Sequence, residues 1–145
     1  MKLSTRTRYG MRAVIELAQH EGKRPLQLKA IAERQDISVK YLEQLMSMLR
    51  SAGFVRSVRG SKGGYVLARP PEQIALSEIF RSLEGPVTTA ECTEDPDYCE
   101  RSADCAAREV WMEVEQAIEG VLGRITLADM VRKTQAQAQT VSYQI

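Results

Sequence analysis

Between residues 6 and 20, apolar side chains recur at Tyr9, Ala13, Ile15, Leu17 and Ala18, a broad face with helical spacing. This predicts a helix over 6–20, capped by Ser4 or Thr5. "GKRP" at 22–25 reads as a turn, and "LQLKAIAERQ" at 26–35 as a second, shorter helix with Leu28, Ile31 and Ala32 facing inward. "DIS" at 36–38 is a tight connection. Ser38 suits the N-cap of a third helix over 39–52, where Leu42, Leu45, Met46 and Leu49 fall at i, i+3, i+4 and i+7. Gly53 is the expected stop. The period then shortens. Phe54, Val55 and Val58, then Tyr65, Val66 and Leu67, form two β runs joined by the basic, glycine-rich "RGSKGG", a hairpin with a flexible tip.

Tandem prolines, Pro70 and Pro71, interrupt the pattern. "ALSEIFRSLEG" at 75–85 reads as a helix opened by Ser77, with Glu78 in its first turn and Gly85-Pro86 at its end. Residues 87–104 read as an irregular loop. A long helix over 106–122 follows, with Val110, Val114, Ala117, Ile118 and Val121 in one stripe and Trp111 beside it. So long a stripe on so small a chain can bury itself in the chain's own core or pair with a second subunit, and the two half-sites that helix-turn-helix proteins commonly read favour the pairing. A last short helix, capped by Thr126, is expected over 126–131, and 132–145 is a Gln-rich polar tail expected to be mobile. The predicted organisation is a domain over 1–85, a cysteine-containing loop over 86–105, a dimerisation helix with a final short helix over 106–131, and the tail over 132–145.

Helix, short helix, tight turn, helix and hairpin, in that order, make a winged helix-turn-helix in a mostly α chain. Such a fold sets the N-terminal end of the third helix in the major groove of double-stranded DNA; here that end is Ser38, Val39, Lys40, Tyr41, Glu43 and Gln44. Glutamate accepts from cytosine N4, glutamine bridges adenine N6 and N7, and Lys40 suits a phosphate or guanine. In the wing, Arg59 and Lys62 would reach the backbone or the minor groove, and Gly60, Gly63 and Gly64 would allow close approach.

Charge sharpens this picture. Residues 1–69 hold 14 Lys and Arg against 5 Asp and Glu, a balance of +9; residues 70–145 hold 6 against 14, a balance of −8. The basic half is the half with the DNA-reading pattern, as a polyanion-binding module requires. Hydrophobic content of 43% and charged content of 27% favour a packed fold over disorder. No apolar run approaches the ~18 residues of a membrane span, and the N-terminus has no secretory pattern. A cytoplasmic protein is the default expectation. With one histidine, no Ser/His/Asp set and no phosphate loop, the parts of an enzyme are missing.

All three cysteines, Cys92, Cys99 and Cys105, fall in the acidic stretch "ECTEDPDYCERSADCAARE", spaced C-x6-C-x5-C. An odd number argues against a closed disulfide framework. The spacing matches neither the C-x2-C of structural zinc nor a ferredoxin run. From spacing alone, zinc, a redox thiol set and unrelated surface cysteines all stay open.

"KLSTRTRYG", "ISVKYLEQLMSMLRSAGFVRSVRGSKGGYVLARP" and "SLEGPV" closely resemble the Rrf-two family of bacterial regulators over about residues 1–131. The resemblance implies a homodimeric winged-helix transcription factor on palindromic operators, dimerised through the long C-terminal helix. Tyr41, Glu43 and Gln44 match the family's recognition helix, and Arg59, Gly60, Gly63, Gly64 and Tyr65 its wing. Lys40 departs from the serine of the IscR branch, which bears on operator preference.

In the cluster-binding branches of the family three cysteines of this loop hold an iron–sulfur cluster, so the resemblance implies Cys92, Cys99 and Cys105 as ligands, with 2Fe–2S favoured over 4Fe–4S. The family's fourth ligands do not carry over: the matching positions are Arg108 and Arg8. Glu91, Asp104, Glu109, Glu43, solvent or a small thiol stay open as the fourth donor, and the lone His20 reads as an ordinary surface residue. The alternative is a cluster-free regulator of cysteine and sulfur metabolism like the CymR branch, controlled by thiol redox state or a protein partner.

Overall fold

The computed structural model describes residues 1–144. It is mostly helical, with one antiparallel β-hairpin. α1 (Thr5–Gln19) begins at Ser4, whose Oγ accepts from the Thr7 amide at 3.1 Å. Ser4 also donates to Glu84 from its amide (3.2 Å) and its hydroxyl (2.6 Å), and the Thr7 hydroxyl donates to the same carboxylate. These bonds, from Ser4 first and Thr7 next, hold the Glu84 carboxyl below its ordinary pKa. A negative charge there also complements the positive end of the α1 dipole.

α2 (Leu28–Gln35) starts two residues later than expected because Leu26 is in use elsewhere. Leu26 exchanges backbone hydrogen bonds with Tyr65 (2.8 and 3.0 Å), adding a bridge to the edge of the hairpin. The turn into α3 (Val39–Ser51) puts Asp36 in the left-handed region (φ 52°), a conformation aspartate tolerates, and Ile37 packs against the core. β1 (Val55–Val58) pairs with β2 (Gly64–Leu67), Val55 opposite Leu67 and Val58 opposite Gly64.

α4 (Leu76–Glu84) opens at Ala75, not Ser77. Ala75 has no side chain to cap with, so the cap comes from inside the helix: Glu78 Oε2 accepts from the Ala75 amide at 3.0 Å. Ala13, Val14, Leu17, Ile31, Leu42, Met46, Leu49, Phe54, Val55, Ile74, Ile79, Leu83 and Leu127 make one buried cluster. The packing therefore runs straight through the charge boundary near residue 70. α1 and α4 approach closely at Gly10, where a Cβ would stand 2.6 Å from Leu83 Cδ1.

Residues 87–104 are less irregular than expected. They contain a single helical turn, α5 (Glu91–Glu94), and two 3₁₀ turns, Pro96–Tyr98 and Ser102–Asp104. α6 (Ala106–Arg124) buries none of its residues. α7 (Leu127–Gln144) starts as predicted, with the Thr126 hydroxyl accepting from the Asp129 amide (3.2 Å) and Asp129 accepting from the Thr126 amide (2.9 Å). It does not end at 131. The expected mobile tail is helix through Gln144, since "RKTQAQAQTVSYQ" has neither Gly nor Pro to stop it and its Ala, Gln, Lys and Arg favour helix. Ile145 lies outside the described residues. Among the described residues no helix is long and apolar enough to cross a membrane.

Candidate functional site

Two surfaces carry the residues singled out from the sequence. The first is the exposed side of α3 with the wing. Ser38 Oγ accepts from the Tyr41 amide at 3.0 Å, satisfying one free donor of the first turn and fixing its direction. Leu42, Leu45, Met46 and Leu49 are buried, so Lys40, Glu43 and Gln44 are left on the solvent side. Tyr41 is half-buried and meets the Tyr9 ring edge-on, centroids 6.3 Å apart; the Arg12 guanidinium sits 5.5 Å from the Tyr9 ring on its own. Tyr41 thus anchors the helix to α1 as well as facing outward. The sequence did not signal this pairing, because Tyr9 and Tyr41 belong to separate helices.

The wing holds Arg59 and Lys62 exposed at its tip. Among the described residues Lys40, Arg59 and Lys62 form no ion pair, so their charge is available to an external anion. The wing glycines serve the hairpin itself. Gly60 takes φ 109° in open space, whereas a Cβ on Gly63 would stand 2.1 Å from the Val58 carbonyl oxygen and one on Gly64 2.3 Å from that of Leu26. The close approach at Gly63 and Gly64 is to the chain's own backbone.

The second surface is the cysteine loop. Cys92 lies in α5 and Cys105 at the start of α6, both half-buried; Cys99 is exposed, and all three thiols are free. Two side chains of α6 fasten α5 down. Arg108 Nε donates to the Cys92 carbonyl at 2.8 Å. Glu115 Oε1 accepts from the Thr89 amide (2.6 Å), the Thr89 hydroxyl (2.8 Å) and the Thr93 hydroxyl (2.6 Å). Burial pushes the Glu115 carboxyl up, but the bonds from Thr93 and Thr89 outweigh it and leave the pKa lowered. Sequence reading passed over Glu115 as one acid among many. Its separation of two helical turns from Arg108, which puts both on one face, was the available signal.

Three soft thiols on one loop suit an iron–sulfur cluster in donor type. The described residues do not gather three or more His, Cys, Asp or Glu side chains into a metal-binding group. Arg108, at one position where a fourth ligand was sought, is engaged with Cys92. Arg8, at the other, borders a groove of about 580 Å³ with Leu3, Met11, Phe80, Ile118 and Leu122. His20 caps the C-terminus of α1, its Nδ1 3.1 Å from the Glu16 carbonyl oxygen. Beside this groove, α6 leaves Val110 (51% exposed), Trp111, Val114 and Val121 uncovered, while Ile118 is half-buried and lines it.

The Rrf2 family model, described as an iron-dependent transcriptional regulator, matches residues 3–133. Protein rrf2 of Nitratidesulfovibrio vulgaris is 43% identical over 132 residues, 91% of this chain and 88% of that protein. Among solved structures, CymR (YrzC), the global cysteine regulator of B. subtilis, superposes with a TM-score of 0.79 at 44% identity, over 92% of this chain and 98% of that one. IscR of T. potens superposes with a TM-score of 0.78 at 45% identity, over 94% and 91%.

Proposed function

Because the chain belongs to the Rrf2 family of transcriptional regulators, we propose that it is a homodimeric DNA-binding regulator whose cysteine loop senses through an iron–sulfur cluster. The family comprises transcription regulators, not enzymes. The observation that carries the DNA half is the capped α3 with Lys40, Glu43 and Gln44 outward beside a wing whose Arg59 and Lys62 are unpaired. Tyr41 rests edge-on against Tyr9 of α1, and Ser38 caps the first turn of the helix. The exposed stripe Val110, Trp111, Val114 and Val121 is the face a second copy would cover, and a palindromic operator would match the resulting two-fold symmetry. The regulated genes would be those of cluster assembly or a related stress response, under repression.

The observation that supports sensing is three free thiols on the segment fastened to that same helix. Cys92, Cys99 and Cys105 would hold the cluster, 2Fe–2S ahead of 4Fe–4S. When bound, a cluster supplies a centre that oxidants or nitric oxide can alter. The residues of this chain supply the coupling: Arg108 and Glu115 tie the Cys92 turn to α6, so a change in the loop reaches the dimer helix directly.

A second reading is a cluster-free regulator resembling CymR, controlled by thiol oxidation or a protein partner. The engagement of Arg108 with the Cys92 carbonyl favours it, since that position then offers no ligand. The deciding experiment is an absorption spectrum with iron and acid-labile sulfide analysis on protein purified without oxygen. Visible bands with iron and sulfide in comparable amounts support the first reading. Colourless protein after reconstitution, with operator binding intact, leaves the second.

A further inference from the structure

The exposed side of α3 is not wholly polar. Val39, its first residue, is 42% exposed, although an apolar β-branched side chain gains nothing from water. Its neighbour Ile37 packs against the core, and Val39 does not. It stands one helical turn before Glu43, on the side that also presents Lys40, Gln44 and Ser47. The other large exposed apolar side chains among the described residues, Met1, Leu3, Tyr98, Val110, Trp111, Val114, Val121 and Val141, lie at the N-terminus, in the cysteine loop or on α6 and α7.

We infer that Val39 reads a thymine in the major groove by packing on its C5-methyl group. That methyl is the one apolar group thymine presents there, and it distinguishes T·A from every unmodified alternative. The geometry suits a fixed contact. Ser38 clamps the first turn through the Tyr41 amide at 3.0 Å, and a valine in a helix has one strongly preferred rotamer. The two Val39 methyl groups are therefore held in place before DNA arrives, beside the groups assigned to hydrogen bonding, Glu43 and Gln44. Val39 adds an apolar position to a reading head otherwise built from donors and acceptors. The inference rests on the DNA-binding reading of α3.

The test uses the full chain and a duplex selected with it from a random pool. Each thymine is replaced by deoxyuridine, in symmetry-related pairs, and the dissociation constant is measured by fluorescence anisotropy at one fixed salt concentration. Loss of one buried methyl is worth about fourfold per half-site, about fifteenfold for a symmetric site. One pair should show this loss with the native chain and none with Val39→Ala, whose fold is checked by circular dichroism. A selected duplex with no Val39-dependent uracil penalty overturns the inference and leaves DNA binding standing. Failure to select any duplex overturns the DNA-binding reading with it.

Discussion

In the winged-helix half, the chain from α1 to α4 contributes sixteen side chains to a single buried cluster that also takes in Leu127. Between Glu91 and Asp104 one residue is buried, and it is a serine whose hydroxyl finds no hydrogen-bond partner among the described residues. The first region is held by apolar area, which is cooperative and hard to undo locally. The second is held by a few directed bonds from Arg108, Glu115, Thr89 and Thr93. Each is worth about 1 kcal/mol, more where a charge takes part. A chemical event at the thiols can therefore rearrange the loop while the reading head stays folded. The chain separates a reading head packed by apolar area from a loop held by directed bonds.

The largest effect should come from breaking the rigid side. Leu42→Ala leaves a cavity under α3 and should cost about 2–5 kcal/mol in urea unfolding, with DNA binding lost in parallel. Next, Arg59→Ala should leave the unfolding midpoint in place. It should weaken operator binding about tenfold at moderate salt and reduce the slope of log K against log salt by about one; an unchanged slope would remove Arg59 from the phosphate contacts.

On the soft side the pattern should reverse. Glu115→Gln loses a charge-assisted acceptor for Thr89 and Thr93, so alkylation of Cys92 in the metal-free protein should speed up several-fold while the urea midpoint hardly moves. Equal rates in the two proteins would show that the Glu115 bonds do not hold the turn closed. The smallest effect concerns acid. The Glu84 carboxyl has a lower pKa in the folded chain than its ordinary value near 4.5, so its contribution is present above that value. It is lost as pH falls through the folded-state pKa. Glu84→Gln should flatten this limb of the stability profile below about pH 4.5 and little else.

The same division explains what could be read from the residues alone. Leu42, Leu45, Met46 and Leu49 repeat at helical spacing and Ser38 precedes them, so α3 and its outward face were legible. The hairpin was legible because its glycines are forced by backbone contacts at Gly63 and Gly64. Where side chains stop signalling, the reading fails. Ala75 offers no capping group, so the cap of α4 was assigned to Ser77 although the span 75–85 holds. The far end of α7 has no strong apolar stripe, and its helix rests on propensity alone. The bonds of Glu115 and the Tyr9–Tyr41 contact depend on tertiary placement, which periodicity within one element does not carry.

One feature of the fold has a mechanical meaning. The C-terminal end of α6 is stitched to the start of α4 by two backbone hydrogen bonds, Leu76 amide to Ile125 carbonyl (2.9 Å) and Leu127 amide to Ile74 carbonyl (3.0 Å). Leu127, just beyond, is wholly buried. α6 thus spans from a root in the reading head at Ile125 to the cysteine loop, which it meets at Arg108 and Glu115. Its 19 residues make an arm of roughly 28 Å, so a turn of about 10° at the root displaces the tip by about 5 Å. Read the other way, a shift of that size imposed at the thiol end is geared down to a small turn where α6 meets the start of α4. A large displacement at the loop end thus corresponds to a small one at the root.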